Sequence, residues 1–591
     1  MIYPPLSGFP NKSLLIGMLA CTALVGCTNE DVIDNPNEKP VNGKNDAYIS
    51  VKFAMPEASG ARATSDDGYS VGNNAEQTIT TANSIFLFYD VNNNYVTSGN
   101  LVGGVTTDET ATGNHNGHSA LNELDINAKY GKAFIAISAS NDEIDNITQV
   151  LTVVNYTKNG GIADLQYKPL SYALGMTTTE NEDPSNAGFL MTTSVYYDAN
   201  DKLVQTTAIT NNNIKDTQAE ALKVPVEIYI ERVSAKVGLS TTAKDNKFEV
   251  NPGENAENAT DTDTTEDENK TADVLYNGTL TPANVVILGY TVNNTNTSTN
   301  LVKQVAANNA WVTTPPFTGW NQYANFRSYW AMGTKYTYGG FLTASTTTGE
   351  GDAAQTTPNT HLLTVKTFQN ALTNQFADMY CYEHTVVVDN VDEDRTSPVY
   401  YPNVTTVLVA AQILMGDATT SETLYKYSGV YYNAANYQKL IKSRLTGYTK
   451  QDGTHYAESE WNVVLSTDVT KKFDVTVSAT GATVNENDYN DIVENTEVYT
   501  DGYCYYQIPI EHLQSGDDPT TDTEEENPIR YGVVRNHWYK LEVSAVKHIG
   551  EPVYNVNDEI PEIPEKDAAH YLAARIHVLS WHVVKQNVTL D

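Results

Sequence analysis

Ala47-Tyr48-Ile49-Ser50-Val51-Lys52-Phe53-Ala54-Met55 reads as a β-strand. Ile49, Val51, Phe53 and Met55 alternate with Tyr48, Ser50, Lys52 and Ala54, the period of two that gives a pleated strand one apolar face. Pro56, which has no N–H to give to a ladder, ends it. A loop of small and polar residues, 57–68, follows. The same kind of segment recurs at 84–89, 133–138, 224–233, 284–288, 385–388, 406–410, 473–477 and 505–510, with turn-forming residues between. Tyr, at 38 residues, and Thr suit half-buried pleated surfaces, and Asn suits the connections. One helix is predicted where Tyr437, Ile441 and Leu445 stand four apart ahead of Gly447. The acidic, Thr-rich stretches 254–270 and 515–527 have almost no apolar residues and read as exposed loops. The pattern predicts an all-β protein of sandwich type with few short helices, and no fixed-period repeat.

Upstream of the first strand, Lys12 precedes an apolar run over 14–25. The run is too short for a permanent membrane span and suits an export signal. It closes on Leu24-Val25-Gly26-Cys27, the lipobox pattern after which bacterial lipoproteins are cut and the new N-terminal Cys is acylated. Residues 1–26 are therefore expected to be a lipoprotein signal, Cys27 the lipid acceptor and polar 27–46 a flexible tether. The alternative is a plain signal with a chance cysteine. No second apolar run is long enough to span a bilayer, so membrane contact is expected only through the lipid.

The chain has 591 residues, room for two large domains or three smaller ones. Lys and Arg number 36 against 73 Asp and Glu, a net charge of −37. So acidic a surface argues against a nucleic-acid partner. Beyond Cys21 in the signal and Cys27, only Cys381 and Cys504 remain, each between two tyrosines. In an oxidising compartment they either pair or stand as thiols, and spacing does not decide. Neither has the neighbours of a metal site, and no metal or cofactor is expected. There is no His-Glu-x-x-His, no Gly-x-Ser-x-Gly and no phosphate-binding glycine loop, and no catalytic residue is assigned. Asp392-Glu393-Asp394 reads as a solvated turn before a calcium site. Asp90 to Asn94 lacks the glycine and distal glutamate of a calcium loop and reads as a hairpin turn. A carboxylate pair for glycoside hydrolysis needs only spatial proximity and cannot be picked out of 73 acidic residues.

Two features stand apart. Arg62 is the only basic residue between Lys52 and Lys129, and small residues flank it. It reads either as an ordinary loop arginine or as the specificity residue of a protease site. At the other end Ile576, Val578, Leu579, Trp581, Val583, Val584, Val588 and Leu590 keep strand character almost to the last residue. A β-prone tail is a final core strand or a strand offered to a neighbour.

These features converge on a resemblance. The lipobox, Glu231-Arg-Val-Ser-Ala-Lys-Val237, Tyr505-Tyr-Gln-Ile-Pro-Ile-Glu-His512, Tyr531-Gly-Val-Val-Arg-Asn-His-Trp-Tyr-Lys-Leu541 and Val578-Leu-Ser-Trp581 resemble, in that order, the Bacteroidales fimbrillins, the FimA/Mfa-type (type V) pilins. The layout is most like the shaft subunit of the minor fimbriae. The resemblance implies two tandem transthyretin-like β-sandwich domains, 47–242 and 243–591. It implies export as an outer-membrane lipoprotein and cutting between Arg62 and Ala63 by an Arg-specific protease. The strand 47–55, with Ile49, Val51, Phe53 and Met55, would leave. A donor strand from ~573–591 of another subunit, with Trp581, Val583, Val584, Val588 and Leu590, would fill the groove. The implied partners are copies of the chain, anchor and tip subunits, the protease, and host or bacterial surface ligands. The implied location is a surface fimbrium serving adhesion and biofilm formation. A tip or accessory adhesin of the same family, and a surface lipoprotein that binds or hydrolyses glycans, are the alternatives.

Overall fold

The computed structural model describes residues 45–54, 78–80, 83–105, 123–125, 132–157, 161–178, 188–197, 202–250, 274–305, 333, 345–348, 355–358, 360–361, 376–385, 405–510, 512, 532–557 and 582–590. Its N-terminal half is built on β1 (Asn45–Ala54), β2 (Ile85–Tyr89), β3 (Tyr95–Val105), β4 (Lys132–Ala139), a short helix α1 (Asn141–Asp145), β5 (Gln149–Val154), β6 (Met191–Thr193) and β7 (Val226–Arg232). The strands pair in the order β5-β2-β3-β4-β1-β7-β6, and β6 pairs back onto β5 through Val153↔Thr192 and Val154↔Met191. The two faces expected of a sandwich thus belong to one sheet whose ladder closes on itself, and closure removes free edges.

Alternation sets what lies inside. Ala47, Ile49 and Val51 of β1 join Phe86, Phe88, Ile135, Ile137, Ile228 and Ile230 in the enclosed core. β2 is buried on both faces: Ile85, Leu87 and Tyr89 turn outward into a second cluster with Leu151, Val153, Leu165, Leu170 and Leu301. Its unbroken apolar run, Ile-Phe-Leu-Phe-Tyr, is what a doubly covered strand requires. Gly99 of β3 lies opposite, where a Cβ would sit 2.3 Å from the Ile135 side chain, so the close approach of β3 to β4 requires glycine. Asp90 to Asn94 is a hairpin turn between β2 and β3. The Asp90 carboxylate accepts from the Asn92 and Asn94 backbone N–H groups, both at 2.8 Å, and Asn93 takes φ 65°.

The C-terminal half contains β8 (Ser234–Thr241), β9 (Lys247–Glu249), β10 (Ala283–Asn293), β11 (Met379–Tyr382), β12 (Thr406–Met415), β13 (Tyr503–Pro509), β14 (His537–Val546), β15 (Glu551–Pro552) and β16 (His582–Leu590). Two sheets, β11-β8-β14-β16 and β9-β10-β12-β13-β15, share a core that includes Val237, Leu239, Val285, Ile287, Val409, Ile508, Leu541 and Val543. This is a sandwich. β12 and β13 are antiparallel neighbours, Gln412↔Tyr503, yet residues 416–502 intervene. That insertion has an aromatic core of its own, including Tyr437, Ile441, Leu445, Trp461 and Phe473. It holds the predicted helix, α2 (Ala434–Ser443), capped by the Asn433 side chain accepting from Asn436 N–H at 2.9 Å.

Candidate functional site: a central strand and an edge strand

β1 is bonded along both sides. On one side it runs antiparallel to β4 from Asn45↔Ala139 to Lys52↔Lys132. On the other it meets Ile214–Lys215 and then runs parallel to β7, Val51↔Val226 to Ala54↔Tyr229. Ile49 and Val51 are fully buried. Phe53 lies in the strand opposite Ile228. Tyr48 is half-buried and Ser50 is fully buried, so the face predicted to meet solvent is partly covered too. Burying Ile49 and Val51 contributes about 1.5–3 kcal/mol each as an upper figure. A missing β1 would also strand the inward N–H and C=O groups of β4 and β7, at about 1–3 kcal/mol for each group left unsatisfied. Cys27, Met55, Arg62, Ala63 and Trp581 lie outside the described residues.

β16 is placed differently. Among the described residues it pairs with one strand, β14, and lies at the end of its sheet. The ladder is parallel, from His537↔His582 to Val546↔Leu590. It sets Val583 beside Trp538, Val584 beside Tyr539, Val588 beside Val543 and Leu590 beside Val546. Tyr539, Val543 and Val546 belong to the sandwich core. Within a single chain, then, the C-terminal strand completes its own sheet at an edge.

The segments quoted from the sequence meet at the seam between the two halves. β7 runs into β8 through Val233, so Glu231 to Val237 crosses from one half to the other. Arg232 donates to the Asn536 side-chain oxygen from its backbone N–H, 3.3 Å, and from Nη1, 3.2 Å, while Asn536 N–H donates to Ser234 O at 2.8 Å. β8 then runs parallel to β14 from Lys236↔Trp538. His512, at the end of the third segment, reaches the Tyr539 hydroxyl at 2.8 Å.

Arg535 is the hub of this seam. It is wholly buried, and Nε and Nη2 each lie 2.7 Å from Glu383 Oε2, itself buried. Nη1 donates to Leu301 O at 3.2 Å, and Nη2 to Asn300 O at 2.6 Å and Thr299 Oγ1 at 3.2 Å. A buried guanidinium is tolerated because its planar fork is matched by a carboxylate and by carbonyls. Nearby, His384 Nδ1 faces Asn294 O at 2.8 Å, and burial holds its imidazole down at about 4.

Cys381 in β11 and Cys504 in β13 are both buried thiols on opposing sheets of one core, and no disulfide joins them. Burial pushes the Cys504 thiol up to about 12, which makes it unreactive at neutral pH. The seam's charged residues were not picked out in the sequence. The available signal was charge interrupting an apolar β-run, as Glu231-Arg232 between Ile230 and Val233 and as Arg535 after Val533-Val534.

A closed sheet whose central strand β1 is paired on both sides, joined to a sandwich that ends in an edge strand, defines an all-β protein. The family model "Major fimbrial subunit protein type IV, Fimbrillin, C-terminal" matches residues 497–587. It takes in β13, β14 and β15 and most of β16. Among solved structures, a C-terminally truncated form of the tip fimbrial protein Mfa3 from Porphyromonas gingivalis matches at 10% identity. The match covers 73% of this chain and 98% of that one with a TM-score of 0.24, a likeness too low to bear on fold or role. A search of the curated proteins found no match.

Proposed function

We propose that the chain is a structural subunit of a surface fimbrium, exported as a lipoprotein through Cys27 and polymerised by protease-triggered strand exchange. The match of residues 497–587 to the fimbrillin C-terminal family model supports the fimbrial part of this reading. One observation carries the exchange: β1 is a central strand with paired neighbours on both sides, so its loss opens a slot along β4 and β7. β16, nine residues against the ten of β1, is the strand of suitable length with the least to lose. Cutting after Arg62 frees β1 and the lipid together, and the opened groove of one subunit takes the C-terminal strand of the next. The lipid is a transit tether, and the neighbours in the fibre then hold the mature subunit. The partners are further copies of the chain with anchor and tip subunits, and an Arg-specific protease.

The test is Arg62→Ala. After treatment of precursor with an Arg-specific protease, wild type is expected to give a ladder of polymers and the variant a folded monomer. An equal ladder from the variant would overturn the Arg62 assignment.

A further inference from the structure

On the outer face of the closed sheet, β3, β4 and α1 border a cleft of about 300 Å³, lined by Tyr95, Ser98, Asn100, Ser138, Glu143 and Tyr167 among others. We infer that it is a binding site for a neutral saccharide, a function independent of polymerisation.

Tyr167 carries the inference. Its side chain is 80% exposed, although Leu165 and Leu170 on either side of it are buried. The segment is also tied to the β2–β3 turn, where Leu170 N–H donates to Asn93 O at 3.1 Å. A well-anchored turn therefore holds a large aromatic ring out into water. It does so at φ 61°, a left-handed conformation that bulky residues seldom adopt. A glycine or asparagine would serve a simple turn with less strain. Strain retained at an exposed aromatic is an outlier that points to use of the ring.

The surroundings say what the ring meets. Tyr95 lies with its ring centre 5.3 Å from that of Tyr167, tilted at 54°, and Tyr89 supports Tyr95 edge-on at 6.3 Å. Gln166 Nε2 donates to Ser98 Oγ at 3.0 Å, fixing the polar wall. Glu143 is oriented by its capping box, its Oε2 accepting from Ser140 N–H and Oγ at 2.8 and 2.9 Å. An electron-rich ring face attracts the C–H face of a pyranose, and hydroxyl, amide and carboxylate groups at its rim match sugar hydroxyls. The volume stands at the small end of ligand clefts and fits a terminal sugar better than a long chain. Among the described residues Glu143 is the one charged side chain in the lining, and the chain carries a net charge of −37, so sialic or phosphorylated sugars are disfavoured.

The test is saturation-transfer NMR on the full chain. The probes are methyl β-D-galactopyranoside, methyl α-D-mannopyranoside and N-acetyl-D-glucosamine, with N-acetylneuraminic acid as the anionic control. At least one neutral probe is expected to receive saturation. Tyr167→Asn, which keeps a residue at ease in the left-handed region, is expected to weaken binding about fivefold or more while leaving the melting temperature unchanged or slightly raised. No transfer to any neutral probe, equal binding in the variant, or preference for the acidic sugar would overturn the assignment.

Discussion

Arg535 and His384 sit in the same buried seam, and each makes the seam's chemistry measurable. Arg535→Met would leave Glu383 as a buried carboxylate without its guanidinium partner, and breaking such a pair costs about 3–5 kcal/mol. A lower midpoint in chemical denaturation is expected. Arg535→Lys should recover little, because a point charge cannot bond Glu383, Leu301 O, Asn300 O and Thr299 together. Pairing Arg535→Met with Glu383→Leu should restore the part of the loss that comes from the unpaired carboxylate, but not the part from the hydrogen bonds to Leu301 O, Asn300 O and Thr299 Oγ1. His384 gives a pH signature. Its native pKa, about 4, lies below the ordinary 6.5, so between these values the unfolded chain takes up a proton that the native chain refuses. That contribution to stability is present above about 6.5 and lost as the pH falls toward 4, by about 3 kcal/mol at most. His384→Asn is expected to flatten the stability curve in that window and leave its slope below pH 4 unchanged. Parallel curves for variant and wild type would contradict this.

Strands were more legible in the sequence than their partners. The alternation at Ile49 and Val51, the apolar run 85–89 and the repeat at Val226, Ile228 and Ile230 each found a strand, and Tyr437 with Ile441 found the longest helix among the described residues, because burial of one face is a local property of sequence. Register and neighbour order were not legible. Nothing at Val51 says that its partner is Val226 and that the ladder there is parallel, because that pairing is decided across 175 residues by the closure of the sheet. The tail was read as a core strand or a donated one. Here β16 occupies its own sheet's edge, and the register decides which side chains change surroundings on exchange. Of the candidate site, Ile49 and Val51 were legible through alternation, whereas the cleft at Tyr167 was not, since its signal is a backbone angle. Val588→Asp sets a carboxylate at the register position beside core residue Val543, and removal of 587–591 takes Val588 and Leu590 out of the ladder. Both are expected to leave a folded monomer, because β16 lies at an edge, and to shorten polymers formed after cleavage. Gel electrophoresis and negative-stain microscopy would show it, and unchanged polymer length would count against β16 as donor.

At the scale of the whole molecule the seam joins two units with separate cores, the closed sheet around Ile49 and the sandwich around Leu541. Phe189 of the first packs on Tyr380 of the second, ring centres 4.9 Å apart, and Lys236 lies over Trp538 at 3.9 Å beside Asp378 at 3.0 Å. A subunit that bears load along a fibre needs such a joint to be stiff, and a buried, hydrogen-bonded contact resists bending better than a flexible linker does. In the proposed assembly β1 fills the slot and withholds polymerisation, Arg62 is where that restraint is removed, and Cys27 leaves with it. The most direct measurement is the N-terminal sequence and intact mass of subunits recovered from fibres. Chains that begin at Ala63, without residues 45–54 and without lipid, are expected. Fibre subunits that still contain β1 would contradict the proposed assembly.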